Sequence, residues 1–165
     1  MADGLSFRAA GRGDCELLLG FIRGLAEYEK MLPLVTATPE LLSEWMFDRR
    51  AAEALFAVVD GREAGFALYF QTFSTFLCEP SLYLEDLFVL PERRGRGIGR
   101  AMLAELARIA SERGCGRLEW QCLDWNRPSI DFYLSLGAKP VSGWTSYRLT
   151  GRALDAMAED TGGKA

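Results

Sequence analysis

Arg93-Arg94-Gly95-Arg96-Gly97-Ile98-Gly99-Arg100 is the stretch on which the reading of this chain turns. Before it runs Leu82-Tyr83-Leu84-Glu85-Asp86-Leu87-Phe88-Val89-Leu90, apolar and aromatic enough for a central strand, and Pro91 ends that run. After it, apolar residues recur at Ile98, Met102, Leu103, Leu106, Ile109 and Ala110, with Arg100, Glu105, Arg108 and Glu112 on the opposite side. This is helical spacing, and Gly114 stands at a plausible position just past the end. The glycines therefore open a helix, where unpaired N–H groups and the positive end of the helix dipole favour an anion. A flexible basic turn is the competing reading. The strand-turn-helix context and the adjacent arginines favour a phosphate site. It is neither of two familiar ones: there is no G-x-x-x-x-G-K-[ST], and Gly95-Arg96-Gly97 is followed by Arg100 where a dinucleotide fingerprint needs glycine.

At 165 residues the chain is long enough for one domain with a sizeable core. Hydrophobic residues at 49% and charged residues at 25% describe an ordinary globule. No apolar run is long enough to span a bilayer, and Met1-Ala2-Asp3-Gly4 begins no signal segment, so a cytoplasmic location is expected. Cys15, Cys78, Cys115 and Cys122 form no C-x-x-C pair and read as reduced, mostly core thiols. The chain has no histidine. That excludes Ser-His-Asp and Cys-His chemistry and makes a metal unexpected, leaving acid–base work to carboxylates, tyrosine, cysteine, lysine or water. A net charge of −4 argues against nucleic acid and suits a cationic small substrate.

Along the chain, Ser6 to Ala9 reads as a strand, and Asp14 caps a helix with Leu17, Leu18, Phe21, Ile22, Leu25 and Tyr28 on one side. Thr38-Pro39-Glu40 starts a second helix through about Phe47. Ala54 to Asp60 and Ala64 to Thr72 are strands joined by a hairpin at Asp60-Gly61-Arg62-Glu63. Arg117 to Cys122 is a further strand, parallel to the earlier one across a helical crossover. A helix from Pro128 to Leu136, strands at 138–141 and 146–149, and a tail helix from Gly151 complete an α/β order. The polar residues 159–165 are expected to fray.

Two clusters carry polar groups into apolar surroundings. Glu85 and Asp86 interrupt the central strand, where an unpartnered carboxylate is costly. Either one faces solvent and the other meets an arginine, or Glu85 stands at the mouth of a cleft and handles a cation. Trp125-Asn126-Arg127-Pro128-Ser129-Ile130-Asp131-Phe132-Tyr133 brings a strand end, a side-chain amide and a phenol within nine residues. Asn126 reads as an N-cap, a ligand contact or both, and Tyr133 by itself as core or catalyst.

Taken together, Arg94-x-x-Gly97-x-Gly99 after a strand, then a helix, a strand, Asn126 and Phe132-Tyr133, resemble the GCN5-related N-acetyltransferase superfamily. Leu82-Tyr83-Leu84-Glu85-Asp86-Leu87-Phe88-Val89, Arg94-Gly95-Arg96-Gly97-Ile98-Gly99, the run from Trp125 to Tyr133, Leu136-Gly137-Ala138, Asp14-Cys15 and Leu25-Ala26-Glu27-Tyr28-Glu29 are similar to its spermidine/spermine and thialysine branch, over about Phe7 to Ala156. The resemblance implies a single acetyltransferase domain over residues 1–165, with a mixed sheet splayed between its fourth and fifth strands and flanked by helices. It implies acetyl-CoA as co-substrate and no metal. Leu87, Phe88 and Val89 would offer strand backbone to the cofactor's arm, and Arg94, Gly95, Arg96, Gly97, Ile98, Gly99 and Arg100 would wrap its pyrophosphate. Asn126 and Ser129 would touch the same cofactor. Tyr133 would also lie there and protonate the departing thiolate, while Tyr28, Glu29 and Glu85 would face the amine. Members of this branch are commonly homodimers, and Phe66, Tyr69, Phe70, Phe73 and Phe76 offer apolar surface for such a contact. Two departures concern the amine alone. Gly20 stands where the polyamine enzymes carry arginine, and Ser142-Gly143-Trp144 lacks the usual preceding acid.

An alkylamine of pKa near ~10.4 is neutral at pH 7 about once in a few thousand molecules, so producing the nucleophile costs roughly 4–5 kcal/mol. Glu85, directly or through water, is the expected proton acceptor. The expected reaction is direct attack in a ternary complex on a small cationic acceptor, a polyamine or diamine. Thialysine or a similar amino acid is the alternative, and a non-catalytic acyl-CoA sensor is a different class again.

Overall fold

The computed structural model describes residues 4–160. The first three residues, and 161–165 of the expected fraying tail, lie outside the described residues. The chain divides into two compact units, one ending at Asn126 and the other beginning at Arg127, and each is described by itself.

The first unit is a five-stranded sheet in sequential order. β1 (Leu5–Ala9), β2 (Glu53–Val59), β3 (Arg62–Ser74) and β4 (Glu79–Val89) are antiparallel neighbours, and β5 (Leu118–Trp120) runs parallel to β4. Between β1 and β2 lie α1 (Cys15–Tyr28) and α2 (Pro39–Leu42), the latter continuing into a wider π-helical stretch, Ser43–Asp48. Between β4 and β5 runs α3 (Ile98–Glu112).

Local chemistry explains most boundaries. Thr38 caps α2 as its spacing predicts, its Oγ1 accepting from the Leu41 N–H at 3.3 Å with Pro39 in the first turn. Asp14 stands at the start of α1 but does not cap it. Arg8 engages both its carboxylate oxygens at 2.8 and 2.9 Å, and the Gly11 N–H donates to it at 2.7 Å. At the far end of α3, the Gly114 N–H reaches Ser111 O and the Cys115 N–H reaches Ala110 O, the paired closure of a Schellman motif. The hairpin between β2 and β3 is tighter than expected, turning at Asp60-Gly61 with φ of 53° and 74°.

The core on one side of the sheet joins Leu18 and Phe21 of α1 with Met46, Phe56, Phe66 and Phe88. Each such side chain contributes about 1.5–3 kcal/mol by leaving water. On the other face, Met102 of α3 lies against Gly65, where a Cβ would come 2.7 Å from Phe88 O. Of the aromatics expected as possible contact surface, Phe66 is buried in the core with Phe21 and Phe56, Tyr69 is buried with the Arg113 guanidinium 5.7 Å from its ring centre, and Phe70 packs on Tyr83 at 5.2 Å. Phe73 and Phe76 are exposed.

The second unit contains α4 (Arg127–Ser135) and α5 (Arg152–Glu159). The strands expected at 138–141 and 146–149 do not form: among the described residues neither segment joins a ladder. Alternating apolar residues specify a strand only where an edge receives them. Pro140 also removes a donor from the first segment.

Candidate active site at the divergence of two strands

After β4, a short turn at Pro91–Arg93 leads to Gly95 and Gly97, with φ of +74° and +80°, and α3 begins at Ile98. A Cβ at either glycine would meet no atom within 4 Å. Glycine is therefore needed here for its left-handed backbone, and the space above it is open to a ligand. The first bond closing this helix end runs from the Ala101 N–H to Gly97 O at 3.0 Å. The N–H groups of Ile98, Gly99 and Arg100 thus have no helical acceptor. The Ile98 side chain is buried at 1% exposure and pins the turn to the core. Arg96 and Arg100 are exposed, and with Arg93 they make no ion pair among the described residues. Open N–H groups, a helix dipole and unpaired guanidiniums fit a pyrophosphate.

Arg94 behaves differently. Its Nε donates to Val89 O at 2.9 Å, and its guanidinium lies 4.7 Å from the centre of the Tyr28 ring and 5.3 Å from that of Phe88. It turns back onto the protein.

The sheet opens one residue past Leu84. The β4–β5 ladder pairs Leu82 with Leu118, Tyr83 with Glu119 and Leu84 with Trp120, then stops. On the opposite edge, the β3–β4 register steps from Leu68↔Asp86 to Tyr69↔Leu84, leaving Glu85 as a bulge. A bulge adds twist and bends its strand, which turns the rest of β4 away from β5. The edge of Leu87, Phe88 and Val89 that faces this divergence has no ladder partner among the described residues. The Phe88 side chain itself is buried in the core.

The bulge also sets out the carboxylates. Glu85 is exposed, as one reading of the pair expected. Asp86 is partly buried and forms no ion pair among the described residues, which goes against the alternative that paired it with an arginine. Burial pushes its pKa up to about 6, with the charges of Glu85 and Glu29 adding to the shift. Glu29, at the C-terminal cap of α1, is itself raised by burial. The Cys122 thiol beyond β5 is raised by burial first, then by Glu29 and Asp124. Three carboxylates and a protonated thiol thus gather where the strands part.

Tyr28 and Asn126 bridge the same region. The Tyr28 hydroxyl donates to Asn126 Oδ1 at 3.0 Å, and Asn126 is buried at 5% exposure. The Trp125 ring lies 6.3 Å from that of Tyr28. In the second unit, Ser129 and Tyr133 are one helical turn apart on α4, so they share a face, and Phe132 and Tyr133 rings sit 5.3 Å apart. Sequence reasoning missed Asp86 as the perturbed acid and Arg94 as an inward-stacked side chain. The unpaired carboxylate inside a strand was the only signal for the first, and local sequence held none for the second.

The sequence profile of the acetyltransferase (GNAT) family matches residues 19–138. The chain is 36% identical to the thialysine N-epsilon-acetyltransferase of Sus scrofa, over 92% of this chain and 95% of that protein. It is 34% identical to the human spermidine/spermine N(1)-acetyltransferase-like protein 1, over 94% of this chain but 24% of that protein. Among solved structures, an integron cassette protein from the mobile metagenome of V. cholerae superposes with a TM-score of 0.79 at 27% identity, covering 94% of this chain and 98% of that one. GNAT-fold acetyltransferases use acetyl-CoA, and the open glycine turn has the donor set that its pyrophosphate requires. With the splayed sheet, the glycine turn and these relatives in hand, the chain belongs to the GNAT family of acetyltransferases.

Proposed function

We propose that this enzyme transfers the acetyl group of acetyl-CoA to the primary amine of a small cationic substrate by direct attack, with both substrates held where β4 and β5 diverge. Asp86 carries this reading. A partly buried carboxyl with no ion pair, raised to about 6 beside Glu29 and Glu85, is an incomplete electrostatic site, and a cationic amine completes it. The family match runs from 19 to 138, across the boundary at residue 126, which supports one functional domain.

Acetyl-CoA supplies the activated thioester when bound. Gly95, Arg96, Gly97, Ile98, Gly99 and Arg100 hold its pyrophosphate through backbone N–H groups and guanidiniums. Leu87, Phe88 and Val89 offer the open strand edge to its arm, and Asn126 and Ser129 position it. A strand N–H near Val89 polarises the acetyl carbonyl. Asp86, with Glu85 at the cleft mouth, takes the amine's proton. A carboxylate of pKa about 6 is still ionised at pH 7 and is the stronger base for its raised value. Tyr133 returns a proton to the departing thiolate as the C–S bond breaks. Cys122 is a poor competitor for the acetyl group because burial and neighbouring carboxylates keep its thiol protonated.

Two acceptor classes have support. The thialysine relative matches along nearly its whole length and favours a lysine-like amino acid. The cluster of Glu29, Glu85 and Asp86 favours a polyamine or diamine. Thiol release from acetyl-CoA with thialysine, lysine, ornithine, spermidine and spermine decides between them. The highest kcat/KM is expected for spermidine or spermine if the carboxylate cluster sets the choice, and for thialysine if the site also receives a substrate carboxylate. Saturable CoA binding with no turnover on any of them would favour an acyl-CoA sensor. We also infer a homodimer, for which Phe73 and Phe76 at the exposed end of the β3–β4 hairpin offer apolar surface, and a cytoplasmic location, where acetyl-CoA and amines meet. A monomeric mass in solution would remove the dimer.

A further inference from the structure

Tyr28 is implied by resemblance to face the amine, yet its polar atom is directed elsewhere. Its hydroxyl donates to Asn126 Oδ1, a contact spanning 98 residues of sequence. Its ring carries the Arg94 guanidinium 4.7 Å from its centre, and the Trp125 ring 6.3 Å away. Through these contacts one side chain joins three elements: the end of α1, the turn between β4 and α3, and the loop after β5. No ladder joins β4 to β5 beyond Leu84 and Trp120. Tyr28 spans the region where backbone pairing has stopped.

Resting on the proposed cofactor site, we propose that Tyr28 is a positioning residue for acetyl-CoA rather than a contact for the amine. The chemistry of the Asn126 amide makes this specific. With Oδ1 accepting from Tyr28, this bond favours one of the amide's two orientations, the one whose Nδ2 hydrogens are directed away from the tyrosine. A buried amide that turns over would present a carbonyl where a donor is needed. Tyr28 thus sets which face Asn126 offers to the cofactor. The same ring backs Arg94, whose Nε holds Val89 O at 2.9 Å. That bond ties the open end of β4 to the glycine turn, so one tyrosine fixes the spacing between the strand edge and the pyrophosphate cradle.

The variants Tyr28→Phe, Asn126→Ala and the double variant separate this role from an acceptor contact. Tyr28→Phe keeps the ring under Arg94 and removes only the hydroxyl. Calorimetric titration with CoA should show Kd raised about 5- to 30-fold, as expected when a buried amide loses one of the hydrogen bonds that orient it. KM for the amine should stay within about twofold, since no contact to it is lost. The double variant should bind CoA no more weakly than Asn126→Ala alone, because the hydroxyl acts through that amide. A raised amine KM with unchanged CoA affinity would overturn the inference, as would additive effects in the double variant. So would a fall in melting temperature accompanied by equal losses for both substrates, which marks a merely structural role. If the wild-type protein binds CoA and Tyr28→Phe binds it equally well, this inference alone fails. If the wild-type protein does not bind CoA, the proposed function fails and this inference falls with it.

Discussion

The two ends of the strand divergence are built from different materials. At the start of α3 the working groups are main-chain N–H groups, held by two glycines in left-handed conformation and flanked by unpaired arginines. At the β4 bulge they are side-chain carboxylates drawn from α1 and β4, one of them raised to about 6 by burial and like charge. The first end suits an anion, the second a cation. On the proposed function, the contrast assigns each kind of specificity to its own end: a backbone cradle would recognise a phosphate in any relative with the same turn, whereas a carboxylate cluster could be rearranged residue by residue to suit a new amine. The relatives agree on acetyl transfer and differ in the named acceptor, as such a division of labour leads one to expect.

Substitutions at each end can break or sharpen that contrast. The largest effect is expected from Tyr133→Phe, which removes the proposed acid on the cofactor side. It should lower kcat about 10- to 1,000-fold with little change in CoA affinity, and stopped-flow thiol release at saturating substrates reads it; unchanged turnover would take Tyr133 out of the reaction. Asp86→Asn comes next, with kcat/KM for the amine down about 100-fold. The wild-type profile should fall below pH 6 as Asp86 protonates, and the variant should lose that acid limb. Retention of the limb would move the base to Glu85. Gly97→Val then tests the cradle: a branched side chain at φ +80° is strained, so CoA Kd should rise about 10- to 100-fold. Normal affinity would show that the turn does not hold the cofactor.

The smallest effect is on stability, and its sign is informative. The folded-state pKa of Asp86 lies above the ordinary 3.8, so folding disfavours its ionised form. The resulting destabilisation is absent below about pH 4, grows as the pH rises toward 6 and is complete above it. Asp86→Asn should therefore be more stable than wild type by about 1–3 kcal/mol at pH 7 and equal to it near pH 4. Denaturant melts at the two pH values measure this, and a destabilised variant at pH 7 would mean that the carboxylate stabilises the fold.

What could be read from the sequence follows the same division. The glycine turn, the helix after it and the Asp60-Gly61 hairpin depend on residues a few positions apart, and local spacing located all three. The splay was implied by resemblance, but its cause, a bulge at Glu85 just past the last β4–β5 pair, depends on register between strands. Asp86 owes its perturbation partly to Glu29, from another element, and the Tyr28–Asn126 bond closes across most of the first unit. The expected strands at 138–141 and 146–149 fail for a related reason: alternation proposes a strand, but only a receiving edge makes one.

Initial rates measured across a grid of acetyl-CoA and amine concentrations test the central claim most directly. If both substrates occupy the divergence together and the acetyl group passes straight to the amine, double-reciprocal lines will intersect and no acetylated cysteine will form. Parallel lines, with an acetyl group trapped on Cys122 that chases into product, would contradict it.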